Sequence, residues 1–238
     1  MKEDGKRFTK GRTRRCCVSG LEKNTEYRLR VKCVVGDLQG MWSDVATFKT
    51  KSIQVRIDST ILSKEANCEV FEEKLYEQCG TNNFELLYRG SRDGFRAIDF
   101  HRQCDNKGQT LVLIKNTSGH VFGGFASVPW TSPDSFTYRK ASGSFLFTLT
   151  NMHGIQPTRF PLKNENDEEA VQYDKEYGPI FGGYDFVIYP PFNTNTCTRS
   201  DFPSTYNDAT GKRNSIFSSN TNSGNFQVQE IEVFKVNN

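Results

Sequence analysis

His101 and Cys104 lie one helical turn apart, and they are the pair in this sequence that comes nearest to a metal site or an activated thiol. A zinc site needs further ligands at suitable spacing, and the sequence contains neither a CxxC nor an HExxH motif. Because a reduced cysteine without ligands behaves as a small hydrophobic residue, we expect Cys104 to pack in the core and His101 to orient its neighbours. The alternative is a thiol-based antioxidant enzyme that uses Cys104.

Three charges fall within the short segment RGSRDG, at Arg89, Arg92 and Asp93. Asp93 precedes a stretch with helical periodicity and is expected to cap its first turn. One interpretation is a local cluster of ion pairs that anchors this helix to the preceding strand. The alternative interpretation is a contact patch for a protein partner, with these three residues as its binding candidates.

Two glycine pairs, Gly123-Gly124 and Gly182-Gly183, each follow a phenylalanine. Neither pair is followed by a Lys-Ser/Thr dipeptide or opens a helical pattern, so phosphate-binding loops are excluded. Glycine within a strand indicates a bulge or a close backbone approach, and both triplets are expected to be packing devices in strands. No catalytic residue, cofactor site or metal site is therefore predicted, and we expect a protein that is not an enzyme.

Composition indicates a folded, reduced protein. Hydrophobic residues make up 35 % and aromatic residues 13 % of the 238 residues, and the net charge is only +3. Much of the positive charge lies in a basic tail at 1–16, for which a solvated tail is favoured over a nucleic-acid-binding arm. The seven cysteines are an odd number without the spacing of a disulfide framework, which favours a reducing, cytoplasmic location. No apolar stretch is long enough for a signal peptide or a membrane helix.

Hydrophobic periodicity predicts the main elements. Alternation predicts a strand over 84–88. A β-branched and aliphatic run over 110–115, followed by a turn at 116–119 that leads into 120–126, predicts a hairpin. A helix is expected over 59–79 with Ser63 as its cap. The phase change within 226–236 predicts a final strand that contains a bulge.

These elements carry motifs that resemble one known family, the TLDc domain. The similarity rests on LLYRGSRDGF, FHxxCDNKGxTLxLIK and GHVFGGFxSxPW, and it continues through SFLFTL, GPIFGGYDFVI and NFQVQEIEVFKV. The resemblance covers 52–238. It implies an α+β, β-predominant fold in which two antiparallel sheets form a sandwich flanked by a few helices. The predicted strands independently favour this fold class.

The same resemblance implies a function. TLDc proteins are associated with resistance to oxidative stress, and several members bind the catalytic head of the vacuolar proton-pumping ATPase. The implied role is a non-enzymatic module that binds and regulates this pump, with recruitment to the cytosolic face of acidic organelles through a protein partner. The family supplies no catalytic residues to carry over to this sequence.

The segment 17–51 is similar to the closing strands of a fibronectin type III module, with Tyr27 in the position of the tyrosine corner. The strands that precede them in that module are missing, so we expect a partial module that begins within a longer parent protein. A third possible function follows, in which the chain is the terminal adhesive module of a fibronectin type III scaffold.

Two polar segments complete the sequence pattern. The acidic segment 163–169 is expected to be a solvated loop. The segment 190–224 is rich in Asn, Thr and Ser and is predicted to be a functional or disordered loop that proteases cut first.

Overall fold

The computed structural model describes residues 21–22, 25–35, 37–50, 57–218 and 223–237. The chain divides into two units, Met1–Gln54 and Val55–Asn238. The predictions for the basic tail at 1–16 lie outside the described residues. The sequence-based boundaries of the segments 17–51 and 52–238 stay predictions.

Four short strands form the described part of the first unit: β1 (Glu26–Leu29), β2 (Lys32–Val35), β3 (Leu38–Trp42) and β4 (Ala46–Lys49). The β2-β3 hairpin is nested within the antiparallel pair β1-β4. Tyr27 is opposite Phe48 in the register, with ring centroids 6.0 Å apart. The Tyr27 hydroxyl accepts a hydrogen bond of 2.7 Å from the amide of Glu22. The described part of this unit therefore contains a β-hairpin, formed by β2 and β3.

The second unit contains most of the regular structure. Its described elements, in chain order, are α1 (Cys68–Cys79), β5 (Phe84–Arg89), α2 (Gly90–Asp93), α3 (Ala97–Cys104), β6 (Thr110–Asn116), β7 (Val121–Ala126), β8 (Thr137–Arg139), β9 (Phe145–Thr148), β10 (Thr158–Pro161), β11 (Val171–Tyr173), β12 (Ile180–Phe181), β13 (Phe186–Val187) and β14 (Val228–Val236).

These strands form two antiparallel sheets. The six-stranded sheet has the order β10-β9-β7-β6-β14-β5, and the four-stranded sheet has the order β13-β12-β11-β8. The predicted β-predominant α+β sandwich with few helices is confirmed. The expected hairpin is β6-β7, and the bulge predicted in the last strand is a register shift between Val228 and Glu230.

Both faces of the six-stranded sheet are buried, and β6 shows this directly. Val112 and Ile114 pack in a cluster that includes Phe181 and Phe186 of the four-stranded sheet. Leu111, Leu113 and their neighbours pack instead in a second cluster with α1 and the 3₁₀ turn before it. A strand that is buried on both faces loses its polar alternation, which explains the continuous apolar run in β6.

The first glycine pair permits close packing on both sides of β7. A Cβ at Gly123 would lie 1.9 Å from the Val112 carbonyl oxygen, and one at Gly124 would lie 2.7 Å from the Phe181 ring. The second pair does not lie in a strand as predicted. Gly182 has a φ of +65° in the turn between β12 and β13, where glycine avoids the strain of a left-handed backbone.

The helix predicted over 59–79 is interrupted. A 3₁₀ turn over Leu62–Lys64 precedes α1, and Ser63 does not cap a helix. The N-cap residue of the 3₁₀ turn is Ile61, and Ser59 Oγ accepts a 2.9 Å hydrogen bond from the amide of Leu62, the first residue of the turn. Ser59 is in turn hydrogen-bonded to the buried carboxylate of Glu232, a long-range contact that hydrophobic periodicity cannot predict.

The segment 190–224 is not a loosely held loop in its described part. Its aromatic and aliphatic side chains enter the core between the sheets, among them Phe192, Phe202, Tyr206, Ile216 and Phe217. These buried side chains correct the expectation of a disordered loop for the described part of the segment, and its early cleavage by proteases stays a prediction.

A buried carboxylate fixes the same segment to the turn between β12 and β13. Asp185 is fully buried, and its two oxygens accept hydrogen bonds of 2.7 Å from the amides of Ser204 and Thr205. Burial raises the pKa of Asp185 to about 6, although these amides and the charge of Lys163 oppose the rise.

We expect the stability contributed by Asp185 to fall as pH rises. The folded protein holds this proton more tightly than the unfolded chain, so the contribution is complete below the unfolded pKa of about 4 and is lost as pH passes about 6. The free energy of unfolding, measured in urea relative to Asp185→Asn, should decline by up to about 3 kcal/mol between these limits. The exposed Asp134→Asn serves as the control. A difference that grows with pH would contradict the assignment.

Candidate functional site

An ion pair between Arg89 and Glu232 lies where the RGSRDG segment leaves β5. The two residues are opposite each other in the β5-β14 register. Glu232 is fully buried, and its Oε1 lies 2.7 Å from Arg89 Nε. An isolated buried carboxylate is strongly unfavourable, so this arginine is required to balance its charge.

The Glu232 carboxylate also holds the segment that enters the second unit. Its Oε2 accepts a 2.5 Å hydrogen bond from Ser59 Oγ, and its Oε1 accepts 2.9 Å bonds from the amide and hydroxyl of Thr60. Arg89 Nη2 donates to the Asp58 carbonyl oxygen at 2.8 Å. One buried ion pair therefore ties three distant parts of the chain together.

Sequence reasoning missed Glu232. The signal in the sequence is a charged residue between the apolar residues Ile231 and Val233. A charge inside a buried strand predicts a partner of opposite charge, but it does not say which one.

Arg92 and Asp93 form a second ion pair immediately beyond Arg89. Arg92 Nη2 lies 2.8 Å from Asp93 Oδ2, and the Arg92 side chain is 46 % exposed. Burial tends to raise the pKa of Asp93, but the hydrogen bonds from Arg92 and from the Arg89 amide outweigh it and lower this pKa. The carboxylate is therefore held in its charged form.

Asp93 does not cap the following helix as predicted. It is the last residue of α2, and its Oδ2 accepts a 2.9 Å hydrogen bond from the Arg89 amide. The N-cap residue of α3 is Arg96, and Asp99 in the first turn accepts hydrogen bonds from the amide and the guanidinium of Arg96 in a capping box. The structure thus brings Arg89, Arg92 and Asp93 together as a local cluster of ion pairs, and their role in partner binding stays a prediction.

His101 connects α3 to a neighbouring loop. Its Nδ1 lies 2.9 Å from Asp105 Oδ1, and its Nε2 lies 3.1 Å and 3.0 Å from the carbonyl oxygens of Asp174 and Tyr177. These contacts match the expected orienting role.

Cys104 is fully buried in the cluster between the two sheets. Burial raises the pKa of its thiol well above the ordinary value, and the charge of Asp105 adds to this. Since the thiolate is the nucleophile, the site disfavours reaction with peroxide. In the described part of the chain, His, Cys, Asp and Glu side chains form no group of three or more suited to a metal ion.

The sequence matches the model of one protein family. The TLDc domain model matches residues 56–237, which is most of the chain. The chain belongs to the TLDc family. This family is linked to oxidation resistance, and its domains are protein-interaction modules. No curated protein matches the sequence.

The TLDc match coincides with the second unit and gives no support to a fibronectin type III module in the segment 17–51. None of the helices in the described ranges has the length and apolar composition needed to span a bilayer.

Loss of Arg89 should destabilise the TLDc domain strongly. We expect Arg89→Met to lower the free energy of unfolding by about 3 to 5 kcal/mol, because Glu232 then remains buried without a countercharge. The double variant Arg89→Met/Glu232→Gln should recover part of this loss. Urea unfolding measures both, with the exposed Arg102→Met as the control, which should change stability by less than about 0.5 kcal/mol. An Arg89→Met protein as stable as that control would refute the role of the pair.

Proposed function

We propose that the TLDc domain of this protein is a non-enzymatic module that binds the catalytic head of the vacuolar proton-pumping ATPase and regulates its assembly or activity. It thereby contributes to resistance to oxidative stress. Binding takes place at the cytosolic face of acidic organelles, where the pump itself recruits the protein. Membership of the TLDc family supports this proposal.

The proposal that the module is non-enzymatic is supported by the contacts of its reactive side chains, which are bonded to other groups of the same domain or buried. Arg89 is paired with Glu232, His101 bonds Asp105 and two carbonyl oxygens, and the Cys104 thiol is buried. Side chains with such partners stabilise a fixed surface. A preformed surface binds a partner without a large ordering cost.

The RGSRDG turn is the contact that we propose for the partner. Arg89 is mostly buried and fixes the turn, whereas Arg92 beside Asp93 keeps 46 % of its side chain exposed. Arginine is enriched at binding hot spots because its planar guanidinium forms paired bonds to carboxylates. An acidic surface on the pump is the complementary partner.

Purified Val55–Asn238 should retain subunits of the pump's catalytic head from solubilised vacuolar membranes, as should the full chain. Arg92→Ala should weaken this binding about tenfold or more, because a hot-spot arginine contributes at least about 2 kcal/mol. Arg102→Ala, an exposed arginine on α3, is the matched control. Absence of every pump subunit from the bound fraction would overturn the proposed partner. Equal binding by both variants would overturn the proposed contact alone.

A thiol-based antioxidant enzyme that uses Cys104 is the competing function, and the buried thiol argues against it. We expect the native protein to leave hydrogen peroxide unconsumed. A disulfide reagent should label the exposed Cys33 and Cys197 in the folded state and reach Cys104 only in urea. If the native protein consumes peroxide and a folded Cys104→Ser variant does not, the enzyme hypothesis is supported.

A fibronectin type III scaffold is a second candidate, which the first unit supports by itself. The hydrogen bond on the Tyr27 hydroxyl has the form of a tyrosine corner. Met41 and Trp42 are 94 % and 50 % exposed, as expected for strands patterned to pack against further strands. In the binding experiment above, partner retention by the full chain and not by Val55–Asn238 would favour this candidate.

A further inference from the structure

Strand β5 forms one edge of the six-stranded sheet. Within the residues that the structure describes, β5 pairs with β14 and with no second strand. Its sequence, FELLYR, has an apolar or aromatic residue at four of its six positions. Free edges of this kind are templates for pairing with another chain, and soluble proteins cover or interrupt them.

Two side chains bond the backbone of β5 in the manner of a neighbouring strand. Arg92 Nη2 donates a 2.9 Å hydrogen bond to the Leu87 carbonyl oxygen, and Asp93 Oδ2 accepts a 2.9 Å bond from the Arg89 amide. A single ion pair thus bonds one backbone carbonyl and one backbone amide that are two residues apart on β5. Ladder bonds to a further strand would need the same two backbone groups.

The ion pair is itself held in place. Arg92 Nε donates to both Asp93 oxygens, at 2.9 Å and 3.1 Å. The amide of Ser91 donates to Glu230 Oε1 at 3.1 Å, which fixes α2 to β14. Gly90 permits the tight start of the turn, because a Cβ there would lie 2.3 Å from the Phe95 ring. The turn therefore presents the two side chains to β5 in a defined position.

The pairing of β5 is also irregular at this point. The register between β5 and β14 shifts between Val233 and Phe234, so that Tyr88 and Leu86 are opposite consecutive residues. A bulge in an edge strand bends it and disturbs the regular spacing that a new strand would need. The bulge and the two side-chain bonds act on the same end of β5.

We infer that the Arg92–Asp93 ion pair closes the free edge of β5 and prevents it from pairing with the β5 edge of a second copy of this chain. This role is independent of the partner proposed above, because it concerns backbone groups of β5 and self-association. Under this inference, Arg92 and Asp93 of the RGSRDG turn protect the edge of the sheet.

The test is a double variant of the full chain, Arg92→Ala/Asp93→Ala. The matched control is Lys175→Ala/Asp134→Ala, which removes an exposed ion pair of 3.1 Å between two residues that lie outside the strands. Sedimentation velocity over a concentration series should show dimers or larger species of the first variant and an unchanged distribution for the control. Amide hydrogen exchange in dilute solution should be about tenfold faster at Arg89 in the first variant only, because its acceptor is gone.

Hydrogen exchange distinguishes pairing through the β5 edge from association caused by partial unfolding. In the associated species, the amides of β5 should become protected from exchange. If the first variant sediments like the control, or if it associates without protection of β5, the inference is wrong. Should the double variant fail to fold, the single variant Arg92→Ala, which leaves the Asp93 bond to Arg89 and frees only the Leu87 carbonyl, is measured instead. Sedimentation of that variant like the control would also overturn the inference.

Discussion

The fully buried carboxylate of Glu232 is the constraint on which the TLDc domain depends. It sits on β14, and its charge is balanced by Arg89 at the end of β5 while Ser59 and Thr60 satisfy its remaining lone pairs. A buried ion pair adds little net stability over well-packed apolar residues, but loss of one member is very unfavourable. The pair therefore specifies one arrangement: it admits only the register that brings Arg89 opposite Glu232, and with it one position for the RGSRDG turn.

Around this point the sheet is insulated from water on both faces. One face packs on the four-stranded sheet through aromatic side chains such as Phe122 and Phe186, whose centroids are 6.4 Å apart. The other face packs against α1. Interactions between charges are stronger where water is excluded, so the hydrophobic packing strengthens the ion pair that it surrounds. The same exclusion of water raises the pKa of the Cys104 thiol, because a thiolate is unfavourable in an apolar site.

Local patterns predicted the elements but not the long-range polar contacts. The β6-β7 hairpin, the bulge in β14 and the burial of Cys104 followed from alternation, turns and the absence of ligand spacing. The partner of Glu232 could not follow, because Arg89 is 143 residues away and periodicity carries no information on pairing across that distance. The segment 190–224 was misjudged for a related reason: its few aromatic anchors are separated by polar residues, so its average composition resembles a loop.

The charges of the RGSRDG turn first suggested either a structural cluster or a partner contact, and the geometry makes these roles compatible. Arg92 bonds the β5 backbone through Nη2, yet 46 % of its side chain faces solvent. A guanidinium that is already oriented by Asp93 loses little conformational entropy when it meets a carboxylate on another protein. The contacts to Leu87 and Asp93 that are proposed to close the edge of β5 therefore also hold Arg92 in the orientation that the proposed partner contact needs.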